Sequence, residues 1–222
     1  MAYLKLAYYL LLEYILTIRL YIQALFKKHV PTHWRRGDKG DVILIPGYSV
    51  PWNFMEQIAD ALNHEGYTIH VVSKLSHTTL PILRCAEVLD TYISDNHLTD
   101  VLIVSFSKGG LVAKTYIDRY AAQSNVKKII SISTPYGGTK WGYLHLFNLN
   151  ELATNSEVIK KMLEHTANNK KIINIYPNVD NHIIPNKNAI LPGALVNEEI
   201  DIIGHTRILF DERLIESIKK YL

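Results

Sequence analysis

Asp100-Val101-Leu102-Ile103-Val104-Ser105-Phe106-Ser107-Lys108-Gly109-Gly110 is the stretch that decides the fold. Its first half is a short apolar run rich in β-branched residues, the mark of a buried strand. Small residues then break the run, and helical spacing resumes at once through Leu111, Val112, Thr115 and Tyr116. A strand that turns sharply into a helix with a serine at the apex is a nucleophile elbow. The strand and helix pass so close there that the places two before and two after the serine must be small. Ser105 and Gly109 occupy them, one glycine short of the usual G-x-S-x-G. An ordinary strand-to-helix turn in which Ser107 caps the helix is the alternative.

The same alternation extends on both sides. Strands are expected at residues 41–46, 67–72, 100–106, 127–134, 171–176 and 199–203. Helical spacing fills 52–65, 80–97, 108 onward, 155–167 and 211–222. Six short apolar strands separated by helices predict an α/β fold: one doubly wound, mainly parallel sheet with helices on both faces. Ligands of such a sheet bind beyond the carboxyl ends of its strands, so the residues just after each strand are the ones to inspect.

After the first strand comes Pro46-Gly47-Tyr48-Ser49, where glycine lets the backbone approach a ligand and the Tyr48 N–H can face a developing oxyanion. After the third comes Ser107, with the Lys108 N–H at a helix N-terminus as a second donor. Ser133-Thr134-Pro135-Tyr136-Gly137-Gly138-Thr139 follows the fourth strand, Asp180 through Pro185 the fifth, and Gly204-His205 the last. Gly47, Ser49, Tyr136 and Ile183 are thus candidate walls of a substrate pocket. Ser107, Asp180 and His205 arrive in an order suited to a proton relay. Histidine takes the serine proton near neutral pH, and a carboxylate on its other nitrogen fixes the tautomer. Asp201 is an alternative acid, though mid-strand, and His182 an alternative base.

The chain has 222 residues, 48% hydrophobic and 20% charged, with net charge +3, a composition for one globular domain and no case for nucleic acid. The single cysteine, Cys85, excludes an internal disulfide and sits among Leu83, Val88 and Leu89 as on a buried helix face. The histidines lack metal-ligand spacing, and neither metal nor cofactor is expected.

Residues 3–26 carry no glycine or proline and predict one long apolar helix, long enough to cross a bilayer. At 100° per residue Lys5, Glu13, Arg19, Gln23 and Lys27 fall within roughly a third of its circumference. Charges are costly at the bilayer centre, so a helix lying in the membrane surface competes with a span, as does a helix packed on protein. Tyr3, Tyr8, Tyr9, Tyr14 and Tyr21 suit the headgroup level. Glu13, Arg19 and the lack of a small-x-small site argue against a cleaved signal peptide. Lys27-Lys28-His29, Trp34-Arg35-Arg36 and Lys39 form a basic collar suited to anionic headgroups. The expected organisation is a membrane-associated helix at 1–28, a basic linker at 29–40 and a catalytic domain at 41–222. If the helix spans, the collar places that domain in the cytoplasm.

From Asp41 onward the chain resembles the small, lidless bacterial lipases and esterases of the α/β-hydrolase superfamily. The carriers are Ile45-Pro46-Gly47-Tyr48, Ser105-Phe106-Ser107-Lys108-Gly109-Gly110, Thr134-Pro135-Tyr136-Gly137-Gly138-Thr139, Asp180 with Ile184-Pro185, and Gly204-His205. Pro46, Ser105 and Lys108 depart from the usual motifs. The resemblance implies hydrolysis of carboxylic, plausibly lipid, esters through an acyl-enzyme. Ser107, Asp180 and His205 would form the triad, with the Tyr48 and Lys108 amides as oxyanion hole. Acyl transfer or thioester hydrolysis would use the same residues, and a non-catalytic binding subunit on this fold is the third alternative. Lys108 and the collar would favour anionic phospholipids if Lys108 does not simply face solvent, and Trp141 to Leu152 would serve as a short flap.

Overall fold

The computed structural model describes residues 2–120, 125–144 and 147–222. Six strands form one sheet: β1 (Asp41–Ile45), β2 (Thr68–Val71), β3 (Val101–Phe106), β4 (Val126–Ile132), β5 (Ile172–Val179) and β6 (Val196–Ile203). Their order is β2-β1-β3-β4-β5-β6, and every neighbouring pair is parallel. The helices are α1 (Ala2–Phe26), α2 (Glu56–His64), α3 (Ile82–Asp95), α4 (Lys108–Arg119), α5 (Glu157–Glu164) and α6 (Glu212–Lys220). Expected and observed elements agree to within a few residues, and β5 and β6 run longer than their apolar cores.

Alternate residues of the central strands feed two cores. Ile43, Ile45, Val101 and Ile103 pack under α3, α4 and α5, together with Cys85 of α3. Val42, Leu44, Leu102 and Val104 pack under α2 and α6. This two-sided burial explains why the strands read as continuous apolar runs. Strand order reverses between β1 and β3, and the crevice above that point is where open sheets of this kind bind ligands.

The stretch expected as a plain basic linker contributes to the second core. Trp34 is fully buried, its indole N–H donates to Asp60 at 2.7 Å, and its ring meets that of Trp52 edge-on. Lys27 of the collar pairs with Glu56 of α2, and Lys28 and His29 stay exposed.

Helix α1 lies along the second face and leaves a wide apolar arc uncovered. Glu13 and Leu20 are buried, with Leu16 packed beside the second core. The outer side carries Leu4, Tyr8, Leu11, Ile15, Ile18, Ile22, Leu25 and Phe26, with Ile18 59% and Phe26 81% exposed. Of the polar stripe Glu13 alone is buried, at its edge; Lys5, Arg19 and Lys27 are exposed on the flank, and the apolar arc faces out. The helix is packed on its own chain through Glu13, Leu16 and Leu20 and, unlike a soluble amphipathic helix, turns a second apolar face outward. By length and composition its segment Leu4–Phe26 is apolar enough to cross a membrane.

Candidate active site

At the end of β3 the chain makes the expected elbow. Ser107 has φ 54° and ψ −122°, a conformation that costs energy for a non-glycine residue and persists only where the surroundings enforce it. Its N–H is held by Ile132 O at 2.8 Å. A Cβ on Gly109 would come within 2.2 Å of Ile45 O, and one on Gly110 within 2.0 Å of Thr134 Oγ1, so neither place tolerates a side chain. Ser105 is accommodated because its hydroxyl turns into the sheet toward Ile130 O at 3.4 Å.

The loops after β5 and β6 bring the other two candidates together, although they lie 25 residues apart. His205 Nδ1 is 2.8 Å from Asp180 Oδ2 and 3.0 Å from Oδ1, with both side chains buried. Asp180 Oδ1 also accepts the backbone N–H groups of His182 (2.7 Å) and Ile183 (2.9 Å). Burial pushes the Asp180 carboxyl up, but the charge and hydrogen bond of His205 and these two amides outweigh it and hold it below the usual carboxylate range. With Nδ1 committed to Asp180, Nε2 is the ring nitrogen left for a partner.

Ser107 and His205 line one cavity of about 320 Å³, along with Thr206, His182 and Thr139. Its apolar walls include Val50, Phe54, Phe106, Leu149, Leu152 and Ile183, and α1 supplies Tyr14, Thr17 and Tyr21. A larger depression of about 540 Å³ along α3 contains no histidine. The expected flap contributes Trp141, Leu149 and Leu152 to the wall; its residues 145 and 146 lie outside those described, as does the side chain of Tyr3.

Of the expected pocket residues, Ile183 lines the cavity. At Gly47 and Ser49 the lining is made instead by their neighbours Tyr48 and Val50. Gly47 still sits over the elbow, since a Cβ there would be 3.1 Å from Ser107 Cβ. Tyr136 is elsewhere: it is fully buried in the first core with its hydroxyl donating to Ser131 Oγ at 2.8 Å. Asp201 projects from β6 to Asn178, away from His205. His182 stacks on the His205 ring at 4.6 Å and 19°, and burial, then the neighbouring His205 charge, pushes it down to about 4.

Lys108 reaches neither solvent nor a headgroup position. Its side chain is 1% exposed, its ammonium donates to Leu80 O, and the Tyr48 ring lies 5.3 Å away. Burial lowers its pKa, opposed by Cys85 and Glu151. The side chain thus ties the residue after the elbow to the segment before α3 and lies against Tyr48 of the loop after β1.

Glu13 is the site residue whose role the sequence conceals. From α1 it accepts the N–H groups of Thr206 (2.7 Å) and Arg207 (2.9 Å), directly after His205. Asn181 Oδ1 accepts the His205 N–H at 3.0 Å, so the histidine loop is held from two sides. Gly204, at φ 121°, fits because a Cβ would come within 2.5 Å of Glu13 Oε2. The signal was there: Glu13 is the single acid in the apolar run 3–26.

No family model matches the sequence, and no curated protein does either. Solved structures match over most of the chain. The mature Bacillus licheniformis lipase BlEst2 aligns with a TM-score of 0.66 at 15% identity, covering 87% of this chain and 94% of that one. A monoacylglycerol lipase of Paleococcus ferrophilus aligns at 0.63 and 10% identity, covering 84% and 95%. A carboxylesterase structure from the thaumarchaeon Nitrososphaera gargenis aligns at 0.63 and 12%, covering 83% and 91%. The chain has the α/β-hydrolase fold.

Proposed function

We propose that this protein is a serine hydrolase of carboxylic esters, acting through an acyl-enzyme. The observation that carries the reading is the buried His205–Asp180 pair, whose remaining imidazole nitrogen serves the cavity that Ser107 lines at a strained elbow. Structural neighbours described as lipases and carboxylesterases support the same class.

The chemistry follows from these groups. His205 Nε2 takes the proton of Ser107 Oγ as the oxygen adds to the ester carbonyl, and Asp180 stabilises the imidazolium that results. The carbonyl oxygen becomes an oxyanion, received by the backbone N–H groups of Tyr48 and Lys108. The first residues of a helix have N–H groups without intrahelical acceptors, which suits Lys108 at the start of α4 to this task. Its buried side chain, lying against the Tyr48 ring, keeps the two donors in register. His205 then protonates the leaving alcohol, and water repeats the cycle in reverse on the acyl-serine. The apolar wall from Val50 to Ile183 fits an acyl chain, so a lipid ester is the substrate class. The catalytic unit is residues 41–222, joined by 29–40 to the helix at 1–28. The apolar arc of that helix and the basic collar associate with a membrane, on the cytoplasmic side, where the leaflet is anionic.

The test is fluorophosphonate labelling together with hydrolysis of p-nitrophenyl butyrate. Ser107→Ala abolishes the label and lowers kcat by about 10⁶-fold, the scale on which a triad nucleophile matters. Labelling that survives the substitution sinks the assignment.

A further inference from the structure

The exposed apolar arc of α1 has a definite geometry relative to the cavity. We infer that α1 is a monotopic seat: it lies flat in one leaflet of an anionic bilayer, with the cavity mouth opening into that leaflet. This inference rests on the ester-hydrolase reading for its substrate and on α1 alone for its geometry.

Helix α1 is bound to the rest of the chain along most of its length. Arg207 sits over the Tyr9 ring at 4.7 Å, Glu13 holds residues 206 and 207, and Asn53 donates to Leu20 O at 3.1 Å. Tyr21 meets Phe54 edge-on at 5.0 Å, and Lys27 pairs with Glu56. From Tyr9 to Lys27 this is about 27 Å of helix. A transmembrane orientation would need nearly the whole hydrocarbon thickness, about 30 Å, for the same segment. It would either strip these polar contacts or pull α2 and the His205 loop into lipid, where unpaired polar groups cost several kcal/mol each. Lying flat leaves every contact in place and gives the outer arc an apolar solvent.

Three further observations choose lipid as the occupant. The outer arc from Leu4 to Phe26 carries no charge at its centre, and Lys5, Arg19 and Lys28 are exposed beside it, complementary to anionic headgroups. The arc continues to the cavity: Tyr14 and Tyr21 are exposed on α1 and line the cavity too. On the flap Trp141 does the same, beside exposed Tyr143, Leu144 and Phe147. Aromatic rings with a wet hydroxyl or N–H belong at the headgroup boundary. A lipid ester would therefore enter from the leaflet without first crossing water.

The experiment uses the full chain with large unilamellar vesicles of phosphatidylcholine and phosphatidylglycerol, in flotation and in hydrolysis of a diacylglycerol embedded in them. Wild type floats, and less so without phosphatidylglycerol. Leu11→Glu/Ile18→Glu lowers vesicle binding and embedded-ester turnover at least about ten-fold, with p-nitrophenyl butyrate hydrolysis within about two-fold of wild type. A peptide tag at the N-terminus is cleaved by external protease on the same side as the catalytic unit. Flotation without hydrolysis of any ester supports the seat and removes the esterase reading. Soluble-ester hydrolysis without flotation overturns the seat, as does a tag protected inside the vesicle. A stable dimer in solution that ignores vesicles also overturns it, because a second copy then covers the arc.

Discussion

Helices α1 and α6 pack on the same face of the sheet, and they differ in what they turn outward. In α6, Leu214 and Ile218 are buried while Glu212, Arg213, Lys219 and Lys220 stay exposed. In α1, Glu13 is 1% exposed, and Leu11, Ile15, Ile18 and Ile22 point away. Periodicity reports that a helix has two faces, and it does not report which one meets the protein. That choice depends on what lies on the other side: water for α6 and, on the proposed membrane seat, an apolar phase for α1.

The strongest way to break this comparison is to place the same charge on both helices. Ile218→Glu puts an unpaired carboxylate into the second core and is expected to cost about 4 kcal/mol or more, read as a loss of the cooperative urea transition. Next in size is Glu13→Ala, which leaves the N–H groups of Thr206 and Arg207 without their acceptor and costs about 2–4 kcal/mol. It also lowers kcat on a soluble ester more than it raises KM, because the loop it frees carries His205. Glu13→Gln keeps one acceptor oxygen and falls between.

The third carries the contrast between burial and charge into the site. His182 titrates near 4 in the folded protein, against 6.5 for an ordinary histidine. The native state then binds fewer protons than the unfolded chain between those values, so stability falls as pH drops from about 6.5 to about 4 and levels off below. His182→Gln flattens that part of a denaturation-versus-pH curve, and an unchanged slope would mean the ring is not kept neutral by its surroundings. The smallest effect is Ile15→Glu on α1, within about 0.5 kcal/mol of wild type by the same urea measurement.

The six strands and their parallel sheet, the elbow at Ser107 and the approach of Asp180 to His205 were legible because each follows from local pattern plus one topological rule. Alternation set the strands, small residues set the elbow, and strand ends gathered the candidates. What was not legible depends on neighbours distant in sequence. Trp34 looks like part of a basic collar until Asp60 and Trp52 are seen against it. Lys108 reads as a charge for an anionic headgroup or for solvent, yet its stem is long enough to place the ammonium on Leu80 O. Tyr136 follows a strand, as a pocket residue should, but the turn after β4 folds its ring back into the core. Gly204 stood out as the residue before His205; the carboxyl group that requires it comes from 191 positions earlier (204 less 13).

The link between Glu13 and Thr206 spans 193 residues. At ribosomal speeds of about 5–20 residues per second, roughly 10 to 40 s separate the synthesis of one partner from that of the other. For all of that interval the greasy arc exists and the histidine loop that Glu13 anchors does not. Birth order thus presents the uncovered apolar helix first and completes the candidate site last.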